Sequence, residues 1–161
     1  MKPFDWVQVA IKDASTSPGG PFGAVIVHRV GLNEHLISRA TNLVVPNHDP
    51  TAHAEILAIR EACRNFNAHE LQGCTIYCSC EPCPMCLAAI LWAGVSELYF
   101  AATRKDAAAI GFMDNDLHSL FRILPRTKWP LPTNPQWPSW RARNDAIKMM
   151  KNWKLTGGIS Y

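Results

Sequence analysis

No stretch of the chain approaches the ~20 consecutive apolar residues that a membrane-spanning helix needs, so no transmembrane segment is expected. The first fifteen residues, MKPFDWVQVAIKDAS, carry Asp5, Gln8, Lys12 and Asp13 and lack the apolar core of a secretory leader. Charge of one sign is scarce too. Lys and Arg number 16 against 13 Asp and Glu, a formal net charge of +3 that neither demands nor excludes an RNA partner. Internal repeats and low-complexity tracts are missing. What remains is 48% hydrophobic and 18% charged, enough apolar material for one core without disulfide staples. The expectation is a single domain over 1–161, in the cytoplasm.

Cysteine is not scarce. Of the six, Cys78, Cys80, Cys83 and Cys86 crowd into one short stretch. In a chain with no export signal, such crowding points to metal binding or catalysis rather than to a disulfide framework. Cys63, Cys74 and Cys78 read as small buried residues.

Helix and strand signals alternate. Phe4, Val7, Ala10, Ile11 and Ala14 share one stripe, predicting a helix over 3–15 that ends at Pro18-Gly19-Gly20. FGAVIVHR (22–29) and HLISRATNLVV (35–45) read as a hairpin turning at Gly31 and Asn33. A helix is expected from Thr51 to about Phe66, with Asp49 and Thr51 as start signals. CTIYCS (74–79) is a strand, Pro82–Ala93 a helix, ELYFAA (97–102) a strand and Asp106–Ile110 a short helix. A last helix runs from Asn144 to about Lys154. Such alternation implies an α/β layered domain. Only 124–140, with five prolines and three tryptophans, resists regular structure.

Two segments carry the chemistry. DPTAHAEILAIREAC (49–63) places His53 and Glu55 two apart where a helix begins. CSCEPCPMCLAAILWAG (78–94) places Cys83 and Cys86 three apart at the start of another. The partial positive charge of a helix N-terminus favours the thiolate form that binds metal. One nitrogen and two sulfurs suit tetrahedral zinc, with the fourth position left to water. Glu55, beside the metal but not a ligand, is placed to exchange protons with that water. H-x-E followed by P-C-x-x-C is a known zinc-deaminase signature, so here the match is one of pattern. A second reading stays open: Cys80 joining His53, Cys83 and Cys86 in a closed, structural Cys₃His site.

The sequence resembles the cytidine deaminase-like superfamily, and within it the small bacterial guanine deaminases. GGPFGAVIV (19–27), DPTAHAE (49–55), SCEPCPMCLAAILWA (79–93) and DAAAIGFMD (106–114) carry the resemblance. It implies a three-layer αβα fold around a mixed, about five-stranded sheet. It also implies one Zn²⁺ per subunit on His53, Cys83 and Cys86, and hydrolytic deamination of guanine to xanthine in purine metabolism. Glu55 would activate water and protonate the ring, and Asp114 would carry a proton to the leaving amine. Asn42, the Ala54 backbone N–H, Trp92 and Phe22 would line the pocket. A homodimer is implied, with a C-terminal segment (about 141–161) swapped so that Tyr161 reaches the partner's site. Plainer readings stand beside these: Asp114 as a loop acid or cap, Trp92 as core and Tyr161 as a loose terminus.

The expected partner is a small nucleobase, with no membrane and no tRNA. The alternatives are a related substrate (guanosine, ammeline, cytosine), tRNA adenosine deamination, or a non-catalytic binding protein on a deaminase scaffold.

Overall fold

The structure, a computed structural model, describes residues 2–114, 117 and 139–158. The first helix, α1 (Pro3–Ser15), forms as its apolar spacing predicts. Trp6, Val7, Ala10, Ile11 and Ala14 are buried along one stripe, and Pro3 occupies a first-turn position where its missing N–H costs nothing. The hairpin follows as β1 (Gly23–Val30) and β2 (Asn33–Thr41), with Val30 paired to Asn33 across a two-residue turn. Gly23 lets α1 come close: a Cβ there would collide with the Ala10 carbonyl oxygen.

β2 stops at Thr41 rather than running to 45. The Asn42 Oδ1 accepts the Val44 N–H at 3.1 Å, so the side chain takes a donor the strand would use. The chain then makes one helical turn, α2 (Val44–Asn47). Helix α3 covers Ala54–Phe66, three residues later than expected. The Asp49 Oδ1 accepts from the N–H and hydroxyl of Thr51, capping a separate turn instead of this helix.

β3 (Cys74–Cys80) is buried throughout, as its unbroken apolar character requires of a central strand. Helix α4 (Pro84–Trp92) then crosses to β4 (Glu97–Ala102), which runs parallel to β3. A short helix α5 (Arg104–Ala108) and the C-terminal helix α6 (Trp140–Leu155) complete the described elements. α6 starts four residues before the sequence suggests and packs Ala142, Ala146, Met149 and Met150 into the α1 side of the core of its own chain.

The sheet order is β2-β1-β3-β4, with β1 antiparallel to both neighbours, hence mixed. Among the described residues it has four strands, one fewer than the resemblance implied. Strand alternation sends Val25, Val27, Tyr77 and Ala101 toward α1 and α6. Ala24, Ile26, Ile76, Cys78 and Leu98 point the other way, toward α3 and α4. Two helical layers thus sandwich one sheet, the expected αβα architecture. No helix among the described residues is long and apolar enough to cross a membrane.

Tyr77 is fully buried and stacks on Tyr99 at 5.2 Å, yet its hydroxyl has no hydrogen-bond partner among the described residues. An unpaired buried hydroxyl costs ~1–3 kcal/mol, and phenylalanine preserves the ring stack. Tyr77→Phe is therefore expected to leave the Tm unchanged or raise it by a few degrees. A Tm drop of several degrees in thermal unfolding contradicts this reading.

Candidate metal centre and cavity

Both chemical segments arrive at one end of the sheet. β3 delivers Cys80 and then Cys83. The antiparallel pairing of Ala24 with Cys78, and of Gly23 with Thr41, brings Phe22 and Asn42 to the same end. Ligand sites in α/β sheets form beyond the carboxyl ends of such strands.

Cys83 is the N-cap of α4, not a residue of its first turn. Pro84 follows it, and a residue before proline is driven out of the α region; Cys83 sits at φ −66, ψ 168. His53 is likewise the N-cap of α3, at φ −66, ψ 151. Two extended caps from two helices therefore face each other, with Cys86 reaching in from the first turn of α4. His53 Nδ1 lies 3.6 Å from Cys83 Sγ and 3.5 Å from Cys86 Sγ. The three ligand atoms all lie within 4.8 Å of one another.

These distances test the metal. A tetrahedral ion with Zn–N ~2.0–2.1 Å and Zn–S ~2.3 Å separates nitrogen from each sulfur by ~3.5 Å. The residues fit zinc without rearrangement. Cys80 does not belong to this group: its thiol lies against the Thr103 carbonyl at 3.7 Å. The closed Cys₃His reading therefore falls, because that sulfur is engaged on the α5 side.

The electrostatics favour a thiolate at the triangle. Hydrogen bonding from the Cys86 thiol, working against burial and joined by His53, holds the Cys83 thiol down to about 4. Cys86, the donor in that pair, is pushed up. Burial works to lower His53, but the Cys83 hydrogen bond and the charges of Glu55 and Cys83 outweigh it and raise it. Glu55 is only 8% exposed, and burial raises its carboxyl to about 7. A cation in the triangle draws it down again, leaving a carboxylate ready to accept a proton.

Beside the triangle lies a cavity of about 280 Å³. Its polar lining includes His53, Glu55, Glu81, Cys83, Arg104 and Asp114. Phe22, Met85, Phe112 and Met113 supply apolar walls, with the Phe22 and Phe112 rings edge to face at 4.9 Å.

Residues 4–102 match the family model of the cytidine and deoxycytidylate deaminase zinc-binding region. The chain belongs to this deaminase family. It is 46% identical over 112 residues to guanine deaminase of Bacillus subtilis, covering 70% of this chain and 69% of that protein. It is 32% identical over 150 residues to the tRNA-specific adenosine deaminase of Buchnera aphidicola, covering 91% and 90%. A solved structure in complex with 2,6-diaminopurine superposes with a TM-score of 0.76 at 29% identity, over 99% of this chain and 85% of that one.

Zinc is thus the cofactor the family and the donor set agree on, and His53, Cys83 and Cys86 are the residues placed to hold it. The other sequence-derived residues divide. Glu55, Asp114 and Phe22 line the cavity. Asn42 is fully buried behind its wall, its backbone N–H bonded to the Phe22 carbonyl and its carbonyl accepting the Ser17 hydroxyl. Ala54, also fully buried, lies between His53 and Glu55. Trp92 does not join them. It ends α4, ~12 Å along the helix from Pro84, and is 88% exposed. The resemblance, not the spacing, put Trp92 at the pocket; in this chain its exposed side chain is not among the described lining, nor is it the core residue its helical spacing allowed. Tyr161 lies outside the described residues.

Sequence reading passed over Glu81, Arg104 and Phe112. Glu81 is 9% exposed, and its Oε2 accepts the Arg104 N–H at 3.1 Å. Its adjacency to Pro82-Cys83 was the available signal. Cys83→Ala is expected to abolish stoichiometric zinc, whereas Glu55→Ala keeps about one zinc per chain; elemental analysis of the two purified variants checks this. Full zinc retention in Cys83→Ala contradicts the assignment.

Proposed function

We propose that this deaminase hydrolyses guanine to xanthine and ammonia, within purine metabolism. The observation that carries the reading is Glu55, a buried carboxylate beside the metal triangle, sharing one small cavity with a second carboxylate, Asp114. Zinc, when bound, supplies a Lewis acid that lowers the pKa of water toward ~7. Glu55 takes the proton of the attacking water and passes it to the ring nitrogen next to the attacked carbon. Asp114 relays the remaining proton, from the newly formed hydroxyl, to the amino group, the carbon–nitrogen bond breaks, and ammonia leaves as the ring carbon keeps the oxygen as a carbonyl. Phe22 and Phe112, in contact with each other, form one apolar wall against which the flat ring lies, shielded from bulk water.

The cavity size supports a free base, because about 280 Å³ lies at the small end of ligand pockets. Its charge supports the same. Glu55, Glu81 and Asp114 face Arg104, the one Lys or Arg side chain in the described lining, a poor balance for phosphates. The 2,6-diaminopurine in a solved neighbour is consistent with an aminated purine ring. The second reading, tRNA adenosine deamination, draws on relatives such as that of Buchnera aphidicola. Asn42, at the end of β2, would fix the base, and the Ala54 N–H, between His53 and Glu55, would complete the pocket once substrate is bound. A homodimer belongs to the same proposal; α6 packs on its own chain, so of the expected 141–161 exchange only the tail after α6, ending in Tyr161, would cross over to close the partner's site.

Ammonia release by zinc-loaded protein across guanine, guanosine, adenine, cytosine, ammeline and a tRNA anticodon stem-loop tests the choice. Selective turnover of guanine is expected, with Glu55→Gln losing at least ~10²–10⁴-fold in kcat and Asp114→Asn a smaller factor. Removing Tyr161 should raise KM, and light scattering should give twice the 17.9-kDa chain mass. Turnover of the stem-loop with none of guanine overturns the proposal.

A further inference from the structure

The cavity wall that carries Asp114 has little to hold it by itself. α5 spans five residues, far below the ~12–15 at which an isolated helix becomes even marginal in water. The segment 109–114 that follows includes no strand or α-helix. Yet Arg104, Ala107, Phe112, Met113 and Asp114 all line the cavity. Something rigid must fix them.

The anchors come from α6, an element with no part in the chemistry so far. α6 itself is firmly seated: Ala142, Ala146 and Met150 are buried, and Asp145 accepts the Gln8 side-chain amide at 2.9 Å. From this base two side chains reach the wall. Arg143 donates from Nε and Nη2 to the two carboxylate oxygens of Asp106, each at 2.9 Å, a forked pair. Asp106 in turn accepts the Thr103 N–H and hydroxyl, both at 2.8 Å, which caps α5. Trp153, nearly three turns further along α6 than Arg143, places its ring 5.6 Å from that of Phe112. Phe112 is thereby wedged between Trp153 and Phe22. The Trp153 ring also lies against Gly158, where any Cβ would collide with it.

We propose that α6 is the buttress of the substrate cavity, with Arg143 and Trp153 as positioning residues that set Phe112 and, two residues on, Asp114. Arg143 fixes the start of the wall through α5, and Trp153 fixes its end through Phe112. Gly158, lacking a Cβ, leaves the Trp153 ring the room to lie against Phe112. The role given to Asp114 rests on the proposed deaminase reading, but the mechanical claim does not, since it is read without substrate.

The test compares Trp153→Ala, Trp153→Phe, Gly158→Ala, Arg143→Ala and the control Arg141→Ala, all zinc-loaded. Hydrogen–deuterium exchange is expected to rise over 104–114 in Trp153→Ala, Gly158→Ala and Arg143→Ala, with β1 unchanged. Zinc content stays at the parent value, and kcat/KM on the substrate found falls ~10- to 100-fold, mainly through KM for Trp153→Ala. Trp153→Phe restores both readouts, and Arg141→Ala matches the parent. Parent-like exchange over 104–114 in Trp153→Ala and Arg143→Ala overturns the buttress, whatever happens to Tm or activity. Raised exchange in the variants together with no turnover of guanine by the zinc-loaded parent keeps the buttress and removes the substrate reading instead.

Discussion

The site depends on one contact set: His53 Nδ1 held 3.5–3.6 Å from two thiol sulfurs by the starts of two helices. Nothing in the chain crosslinks these helices covalently, and all six cysteines are free. Their approach is imposed by the sheet. β3 ends at Cys80 in the middle of the order β2-β1-β3-β4, and α4 must leave from that end to return for parallel pairing with β4. α3 packs on the same face through Ala54, Ala58 and Ala62, small residues that let it lie close. A shift of either helix by an ångström opens the triangle, so the apolar packing of that face acts directly on metal affinity.

From the triangle outward, the site works by burial. Glu55 is removed from water and driven toward protonation, while the hydrogen bond from Cys86 and the nearby His53 hold Cys83 low. Opposed shifts within one small volume mark a functional site, and a cation held by the triangle would return Glu55 to its carboxylate form. The second cavity wall is built differently, from a short helix and a loop held by Arg143, Glu81 and aromatic contacts. One wall is thus part of the core and rigid, and the other is braced from outside.

Much of this was legible in the residues. The stripe of α1, the 23–41 hairpin and the central strand β3 follow from periodicity. His53, Glu55, Cys83 and Cys86 follow from spacing and donor chemistry. The errors have local causes. Pro84 delays the start of α4 because it excludes Cys83 from the helix, and an earlier proline, Pro82, looked like the better first-turn residue. Asn42 ends β2 by capturing a backbone donor, an event that apolar counting over 35–45 cannot register. Trp92 came to the pocket from the resemblance alone, which carries no information on how exposed the end of α4 is in this chain. Phe112 and Glu81 matter through tertiary contacts that no local pattern announces. Tyr161 and the segment 118–138 lie outside the described residues.

The central claim is a three-ligand zinc site with an open fourth position, and zinc K-edge X-ray absorption on the zinc-loaded protein tests it most directly. The account predicts two sulfurs at ~2.3 Å and two lighter atoms at ~2.0–2.1 Å, one from His53 and one from solvent. Three sulfurs and one nitrogen would mean that Cys80 closes the site, contradicting both its placement against Thr103 and the proposed hydrolysis.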